Sequence, residues 1–429
     1  MSRCQIVYYS LLSTRYSLLM SDQTSRRIVV IGGGPAGVFA ALEAKRTDPA
    51  AHVIILTEEG CEPYEKPPLS KAVLTGKALP EDALIAGPGG VIAHKVVLER
   101  HACCTAIDRA ARQVRTASGQ RYRYDALVLA TGSLVRELPQ FPIAMPHVHY
   151  LRTAADARAL KASLQSAKHL VLIGGGLIGL EVAASARTVG VKTTVLEIAP
   201  RILARVCDEN TAACIAQAHS KHGVEIHTGV TIEHVEPTAA GIDITTEDCH
   251  ALSADIVGIG CGVKPNVALA AAAELAVDDG IVVDEHCSTS DPNILAAGDA
   301  TRFPGPHGLL RLENWRHAQD HGVIAGRNAA GAHEAYRAVP SFWSEQYDLY
   351  IQGVGWPSPQ PDTHIHRQAT GGGPLIFGIS KGAMICAMGI NRQRDIAAAR
   401  RLIERQIPVD SAALADPNRP LAGMLKATA

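Results

Sequence analysis

The chain has 429 residues, of which 47% are hydrophobic, and its formal net charge is −1. This length is too great for one ordinary domain and predicts two to four. A near-neutral charge gives no global field for nucleic acid or for a membrane surface, and glycine or charge interrupts the apolar runs before they reach bilayer length. We therefore predict a globular, cytoplasmic protein that binds neither nucleic acid nor a membrane.

The first 23 residues carry little structural signal. Residues 1–19 contain arginines and serines but no acidic residue, which is superficially typical of an organellar transit peptide. Met20 offers an alternative start shortly before the first predicted strand, and this favours an artefact of the gene boundary. We interpret residues 1–23 as a disordered or artefactual N-terminal extension.

The first strong pattern is a glycine motif between a predicted strand, residues 27–31, and a predicted helix. In a G-x-G-x-x-G turn the first glycine makes the turn, the second admits a pyrophosphate, and the third lets the helix pack on the strand. The next strand ends in two acids, 21 and 22 residues after the third glycine, near the spacing of a ribose ligand. A glycine-rich turn of another α/β fold is the alternative, but this context favours a dinucleotide. The predicted ligands are Gly32, Gly34, Pro35, Ala36, Gly37, Glu58 and Glu59.

A second copy of the motif begins 142 residues further on. It consists of a strand from residue 169, three glycines, a predicted helix over 180–189 and a strand over 192–196 that ends in Glu197. Two copies predict two dinucleotides, and an enzyme that holds both is most simply a flavoenzyme with FAD and a nicotinamide. Glu197 would repel a 2′-phosphate, so NADH is predicted over NADPH, with Arg201 a weak counterweight. The predicted residues of this site are Gly174, Gly176, Ile178, Gly179 and Glu197.

Ten cysteines are spread through the chain without a C-x-x-C pair or a metal-type spacing. This is typical of a reducing compartment. Cys103 and Cys104 are adjacent, and we interpret them as free thiols rather than as a vicinal disulfide. No metal site is predicted.

Three further stretches resemble a known family. They are Pro-Tyr-Glu-Lys-Pro-Pro-Leu-Ser-Lys at 63–71, Ala-Thr-Gly at 130–132, and Thr-Ser-Asp-Pro-Asn-Ile-Leu-Ala-Ala-Gly-Asp at 289–299. Together with the glycine motifs they resemble the FAD-dependent NAD(P)H:ferredoxin reductases of the pyridine nucleotide-disulfide oxidoreductase superfamily, the family of putidaredoxin reductase and of the reductases of ring-hydroxylating dioxygenases. The resemblance covers roughly residues 27–425. Lys66 stands where arginine is usual, and a short helix is predicted over 71–74.

The resemblance implies roles for single residues. It places Lys71 beside the flavin ring and pairs it with Glu181, for which the alternative is a carboxylate that only stabilises its own helix dipole. It implies that Asp299 accepts hydrogen bonds from the ribityl chain, and it leaves the role of His317 open. Further cofactor-binding residues implied by the resemblance are Lys66, Ala130, Thr131, Gly132, Gly262, Gly298 and Trp315.

Residues 339–348 resemble the segment that opens the family's C-terminal domain, with Glu345 in place of aspartate. Trp343 is the candidate for an aromatic lid near the flavin. The predicted fold is α/β, with two Rossmann-like dinucleotide-binding domains, the NAD domain inserted in the FAD domain, and a C-terminal α+β domain. The predicted bounds are 24–133 and 260–334 for FAD, 134–259 for NAD, and 335–429 for the C-terminal reductase domain.

The remaining question is the electron acceptor. Disulfide reductases of this superfamily carry two cysteines on the helix after the first acid, where this chain has Leu69-Ser70-Lys71. We therefore expect NADH to reduce FAD, and FAD to pass electrons to a small [2Fe–2S] ferredoxin that serves a P450 or a ring-hydroxylating oxygenase. The alternatives are an NADH oxidase, a rubredoxin reductase, or a redox-sensing flavoprotein resembling apoptosis-inducing factor. A monomer or homodimer is expected, with Lys66, Arg311 and Arg316 as a basic docking patch for the ferredoxin.

Overall fold

The computed structural model describes residues 25–306, 308–356, 360–368 and 372–425. The predicted N-terminal extension, residues 1–23, lies outside this part of the chain. Within the described residues, no helix combines the length and the apolar character needed to cross a bilayer.

The helices and strands fall into three groups along the chain. The first group is β1 Arg27–Ile31, α1 Pro35–Thr47, β2 His52–Leu56, β3 Val97–Glu99, β4 Cys104–Asp108, β5 Gln113–Thr116, β6 Arg121–Arg123, β7 Ala126–Leu129 and β8 Ser133–Val135. The second group is β9 Val148–Tyr150, α2 Ala154–Leu164, β10 His169–Ile173, α3 Leu177–Thr188, β11 Lys192–Glu197, α4 Glu209–Lys221, β12 Val224–Thr228, β13 Ile232–Pro237, β14 Ile242–Thr246, β15 Ala251–Ala254, β16 Ile256–Ile259 and β17 Val263–Pro265.

The third group completes the chain. It contains α5 Ala268–Ala272, β18 Ile281–Val282, β19 Ile294–Ala296, β20 Thr301–Gly305, β21 Gly308–Leu310, α6 Trp315–Ala329, β22 Ser341–Gln346, β23 Leu349–Gly355, β24 Thr363–Arg367, β25 Leu375–Ser380, β26 Ala383–Ile390, α7 Gln393–Glu404, α8 Ser411–Ala415 and α9 Leu421–Met424.

Two parallel five-stranded sheets carry the glycine motifs. Their strand orders are β19-β7-β1-β2-β3 and β12-β11-β10-β16-β9. Ile28 and Val30 of β1 pack in one apolar cluster while Val29 and Ile31 pack in another, so the first sheet is buried on both faces. A parallel strand buried on both faces explains the continuous apolar runs that were predicted as strands.

The chain leaves the first sheet and returns to it after the whole second sheet. β19 pairs with β7 in parallel, with Ala296 opposite Leu129, although the second sheet lies between them in sequence. This confirms the predicted fold class, in which one dinucleotide-binding unit is inserted in the other. The exact domain bounds stay a prediction.

The C-terminal part is an antiparallel sheet with the strand order β22-β23-β26-β25-β24. Phe377 of β25 and Ile396 and Leu402 of α7 share its apolar core. Ile376 and Met388 on the other face pack in a second apolar cluster with Leu180 of α3, so this sheet is buried on both faces.

The predicted helix over residues 71–74 is wrong. The structure has a 3₁₀ helix at Pro67–Ser70, and Lys71 ends it with its N–H donating to the carbonyl oxygen of Pro68. Lys71 has φ −123° and ψ −98°, so an α-helix cannot continue through it. Residues 71–76 form turns instead.

Candidate active site

A cleft of about 1700 Å³ lies where the three parts of the chain meet. Its walls include the first glycine turn at Gly34, the start of the second unit's helix at Ile178, and Trp343 of the C-terminal sheet. All three tryptophans of the chain line it, namely Trp315, Trp343 and Trp356. A large concave site at the junction of domains is the usual place for a cofactor.

The first glycine turn follows β1. Gly32 has φ +118°, and a Cβ there would stand 2.1 Å from the carbonyl oxygen of Ala130. A Cβ at Gly37 would stand 1.9 Å from the carbonyl oxygen of Gly32, whereas a Cβ at Gly34 would meet no atom within 4 Å. Gly32 and Gly37 are therefore required by close packing, while Gly34 leaves its backbone open to the cleft at the N-terminus of α1.

The second glycine turn follows β10 and repeats this geometry. Gly174 has φ +106°, and a Cβ at Gly179 would stand 2.3 Å from the carbonyl oxygen of Gly174. Glu197 closes β11 and accepts hydrogen bonds from the N–H of Gly175 at 2.6 Å and of Ala199 at 2.8 Å. Its carboxylate is thus held against the turn.

Strand register shows which residue of the first unit corresponds to Glu197. Ile31 lies opposite Leu56, as Ile173 lies opposite Leu196, so the counterpart of Glu197 is Thr57 rather than Glu58 or Glu59. The hydroxyl oxygen of Thr57 would be 2.9 Å from a Cβ at Gly33, just as a carboxylate oxygen of Glu197 would be 3.3 Å from one at Gly175. Sequence spacing missed Thr57, since it is not an acid.

Glu59 has partners of its own. It accepts a hydrogen bond of 2.6 Å from the hydroxyl of Tyr64 and lies 3.6 Å from the ammonium nitrogen of Lys66. Lys66 also donates to the carbonyl oxygen of Arg152, and burial lowers the pKa of its ammonium group. Glu58 is exposed but still lines the cleft. The two adjacent acids therefore lie in different environments.

Asp299 forms an ion pair that the sequence did not indicate. Its Oδ2 lies 3.2 Å from a guanidinium nitrogen of Arg152 and accepts a hydrogen bond of 3.0 Å from the hydroxyl of Ser133. Arg152 also donates to the carbonyl oxygen of Ser133. It is placed by the N-terminus of α2, where Thr153 and Asp156 form a capping box. That T-x-x-D signal is visible in the sequence, although the arginine's role is not.

Glu181 and Lys71 meet at the wall of the cleft. The Nζ of Lys71 is 2.9 Å from Oε2 of Glu181, whose side chain is 4% exposed. The hydroxyl of Ser70 donates to the same oxygen, and that of Ser344 donates to Oε1 at 2.6 Å. A buried carboxylate needs such compensation, because an unpaired charge away from water is costly. Ser70 and Ser344 were missed by sequence reasoning.

The aromatic side of the cleft is built from two tryptophans. Trp343 lies on β22 and packs edge-to-face on Trp315 of α6 with 5.6 Å between ring centroids. The indole N–H of Trp315 donates to Glu65, and burial raises the pKa of that carboxyl group. Trp343 therefore forms part of the cleft wall from a strand, and its role as a lid stays a prediction.

His317 is buried beneath the site. Its Nδ1 is 2.9 Å from the hydroxyl of Tyr336, and its ring stacks on Phe303 with 4.6 Å between centroids. Burial lowers the pKa of His317 to about 3, so the imidazole is neutral. His321 lies beside it and accepts from the N–H of Gly298 at 3.3 Å. These contacts give His317 a packing role.

The three cations predicted to form a docking patch differ in exposure and in their ion-pair partners. Lys66 lines the cleft and faces Glu59. Arg311 is 17% exposed and pairs with Asp279 and Glu313. Arg316 is 41% exposed and lies 3.1 Å from Asp320. Lys66 and Arg311 both line the cleft, and Arg316 combines substantial exposure with a place at the start of α6, so the docking patch stays a prediction.

Most of the predicted site residues line the one cleft. These are Gly32, Gly34, Pro35, Ala36, Glu58, Glu59, Lys66, Lys71, Ala130, Thr131, Gly132, Ile178, Glu181, Gly262, Asp299, Trp315 and Trp343. The rest lie in the glycine turns and strand ends and do not line the cleft, namely Gly37, Gly174, Gly176, Gly179, Glu197 and Gly298. Their roles in binding stay predictions.

The cleft extends from the first glycine turn at Gly34 to Leu177 and Ile178 at the start of α3. Each glycine turn leads into the N-terminus of a helix, where backbone N–H groups favour a pyrophosphate. Gly34 has open space in front of it, as a turn that receives a phosphate requires. Fold and site together define the class of protein, an oxidoreductase built on two dinucleotide-binding units.

The comparison with known families agrees with this class. The profile described as "pyridine nucleotide-disulphide oxidoreductase" matches residues 26–322, and the one described as "reductase C-terminal" matches residues 341–425. The chain belongs to the pyridine nucleotide-disulphide oxidoreductase family, and its cofactors are FAD and NADH.

Relatives of known name are similar along nearly their whole length. Rhodocoxin reductase of Rhodococcus erythropolis is 38% identical over 395 residues, which cover 91% of this chain and 92% of that protein. The ferredoxin–NAD(+) reductase component of the anthranilate 1,2-dioxygenase system of Burkholderia cepacia is 37% identical, with 91% and 97% covered. The crystal structure of a covalent putidaredoxin reductase–putidaredoxin complex matches with a TM-score of 0.89 at 33% identity, with 94% and 98% covered. The predicted family is confirmed.

Proposed function

We propose that this protein is an NADH-dependent ferredoxin reductase: it takes electrons from NADH through FAD and delivers them to a small [2Fe–2S] ferredoxin that serves a P450 or a ring-hydroxylating oxygenase. The names of the relatives support the acceptor, since they include a ferredoxin–NAD(+) reductase component and a putidaredoxin reductase in complex with putidaredoxin. The observation that carries the proposal is the Lys71–Glu181 ion pair, because it joins the segment after the first glycine turn to the helix of the second.

The part of the chain that the structure describes contains no disulfide, which supports an acceptor outside the chain. Ser70 and Lys71 occupy the segment where disulfide reductases carry their cysteines, and both contact Glu181. The cysteines of the described residues are free thiols. Burial raises the pKa of Cys261 to about 11 and of Cys104 to about 12, so these cleft cysteines are thiols and poor nucleophiles at neutral pH.

The bound FAD would supply the redox chemistry, accepting two electrons from NADH and releasing them one at a time. The chain's own residues position and tune it. Backbone N–H groups at the start of α1 would hold the pyrophosphate, and Asp299 would hold ribityl hydroxyls while Arg152 fixes its carboxylate. Lys71 would place a cation at the wall of the cleft, with Glu181 setting its position.

NADH preference is proposed from the second turn. Glu197 ends β11 with both oxygens held by backbone N–H groups, so a 2′-phosphate would meet a fixed negative charge. Arg201 donates to the carbonyl oxygens of Leu203 and Ala204, which commits its guanidinium group locally. Arg201 is therefore poorly placed to attract a phosphate.

We make two further proposals from the amino-acid sequence, one on the location of the protein and one on its domain bounds. We place the protein in the cytoplasm, because ten cysteines without a paired motif suit a reducing compartment. We also propose that residues 24–133 and 260–334 form the FAD domain, residues 134–259 the NAD domain, and residues 335–429 the C-terminal domain. Trp343 stays the proposed aromatic lid, and its packing on Trp315 supports a place for it beside the flavin.

The test is a steady-state cytochrome c assay with NADH, in the presence and absence of a [2Fe–2S] ferredoxin. A reductase of the proposed kind reduces cytochrome c rapidly only when the ferredoxin is added. Rapid oxygen consumption without ferredoxin would identify an NADH oxidase instead, and preference for rubredoxin would identify a rubredoxin reductase. Slow turnover with every acceptor would favour the redox-sensing flavoprotein.

A further inference from the structure

A buried chain of hydrogen bonds runs from Glu181 away from the cleft. The hydroxyl oxygen of Ser344 is 2.6 Å from Oε1 of Glu181, and Nε2 of Gln346 is 3.0 Å from that hydroxyl oxygen. The chain ends at His219, whose Nε2 is 2.9 Å from Oε1 of Gln346. All four residues are buried, with residue exposures between 0% and 3%.

The donors and acceptors of this hydrogen-bond chain can be arranged in one direction only. A carboxylate accepts and cannot donate, so the single proton of Ser344 points to Glu181. The Ser344 oxygen must then accept from the amide nitrogen of Gln346, which turns the amide oxygen toward His219. His219 is therefore the donor at the far end, with its proton on Nε2.

Burial supports this state of His219. Desolvation lowers the pKa of the imidazole, so it is neutral and carries one N–H. Its Nδ1 is buried without a hydrogen-bond partner among the described residues. Nε2 is bonded and Nδ1 has no partner among the described residues, so the one N–H of the His219 ring donates to Gln346. The ring packs edge-to-face on Tyr347 with 5.1 Å between centroids.

The hydrogen-bond chain also joins the second dinucleotide-binding unit to the C-terminal sheet. His219 lies on α4 and Glu181 on α3, both in the second dinucleotide-binding unit, whereas Ser344 and Gln346 lie on β22 of the C-terminal sheet. Ser344 and Gln346 share one face of that strand because they are two residues apart. The C-terminal sheet therefore supplies one of the three donors to Glu181, and the second unit holds that donor in place.

We propose that His219, Gln346 and Ser344 are positioning residues for Glu181: the one-way chain holds the Ser344 hydroxyl on the carboxylate and so sets the charge that the Lys71–Glu181 pair presents to the flavin. This inference rests on the proposed function for the presence of a flavin in the cleft. Without the Ser344 donor, more uncompensated negative charge remains near the ring. Reduction of the flavin then becomes less favourable.

The test is the midpoint potential of the bound FAD, measured by photoreduction against a reference dye. Ser344→Ala removes the donor, and His219→Phe breaks the far end while leaving the contacts of Glu181 in place. Both should lower the potential and slow flavin reduction by NADH about threefold to tenfold, with an unchanged KM for NADH. Ser344→Thr and His219→Gln keep a donor at the same place and should restore values near the wild type.

Tyr347→Phe is the matched control. It alters the same buried region, but the Tyr347 hydroxyl has no hydrogen-bond partner among the described residues and is not part of the chain. Unchanged potentials in Ser344→Ala and His219→Phe, or an equal shift in Tyr347→Phe, would overturn the inference. The potential is measured without NADH or ferredoxin. A missing ferredoxin activity therefore overturns the proposed function alone, and unchanged potentials overturn this inference alone.

Discussion

Lys71 and Glu181 are 110 residues apart in the sequence, yet their side chains meet with 2.9 Å between Nζ and Oε2. The lysine follows a 3₁₀ helix of the first dinucleotide-binding unit, and the glutamate lies in the first turns of α3 in the second. Their contact joins the two units at the wall of the cleft. Glu181 lies beyond the first turn of α3, where a carboxylate interacts only weakly with the helix dipole.

Replacing either member of this pair should slow electron entry more than it weakens cofactor binding. Lys71→Met and Glu181→Gln are expected to reduce the rate of flavin reduction by NADH roughly 10- to 100-fold, because the pair supplies fixed charge rather than phosphate contacts. Stopped-flow absorbance at about 450 nm measures this rate. Lys77→Met, an exposed lysine in the same loop, is the control. Equal rates of flavin reduction in all three variants would show that the Lys71–Glu181 pair has only a structural role.

The preference for NADH should depend on Glu197. We expect the wild type to have the higher kcat/KM with NADH, and Glu197→Gln to narrow the difference about tenfold by removing the charge that opposes a 2′-phosphate. Steady-state assays with both nucleotides measure the ratio. Glu236→Gln, at an exposed position on β13, should leave it unchanged. A wild type that prefers NADPH would show that Glu197 does not select the nucleotide.

FAD retention should depend on the Arg152–Asp299 ion pair. Asp299→Ala removes the proposed ribityl ligand and should raise the FAD dissociation constant by about tenfold or more, whereas Arg152→Gln should have a smaller effect. Since all three tryptophans line the cleft, recovery of tryptophan fluorescence reports FAD release. Arg158→Gln alters an exposed arginine of α2 and serves as the control. If Asp299→Ala keeps FAD as tightly as this control, the ligand assignment is wrong.

We expect the buried imidazole of His317 to make the folded protein less stable in mild acid. The pKa of His317 is lowered from 6.5 to about 3, so below about pH 6.5 the unfolded chain binds a proton that the folded chain does not. Stability therefore falls as the pH drops through this window, by about 1.4 kcal/mol per pH unit for one such group. His317→Gln should make the fall in melting temperature between pH 6.5 and pH 4.5 shallower. His364→Gln, at an exposed position on β24, should leave the slope unchanged, and parallel slopes for all three proteins would contradict the account.

Much of the fold could be predicted because its signals are local. The glycine turns at Gly32 and Gly174 each follow an apolar strand and precede a helix, and both β-α-β units are present as predicted. The acid at Glu197 also lies at the predicted strand end. The helix predicted over residues 71–74 failed because Lys71 takes an extended φ and closes a 3₁₀ turn, which local propensity does not reveal.

The parts that could not be predicted depend on long-range contacts. Ser344 reaches Glu181 across 163 residues, and Arg152 reaches Asp299 across 147. No sequence pattern marks these pairs, since serine and arginine are common on surfaces. Thr57 was missed for another reason: only the register of β1 and β2 shows that it stands where Glu197 stands in the second unit.

The most direct test of the central claim is an anaerobic titration of the purified protein followed by addition of an acceptor. The account predicts about one bound FAD per chain, bleaching of its visible absorbance by NADH, and rapid recovery of that absorbance when an oxidised [2Fe–2S] ferredoxin is added under argon. A protein that binds no FAD after reconstitution, or whose NADH-bleached flavin is not reoxidised by any [2Fe–2S] ferredoxin tested, would contradict it.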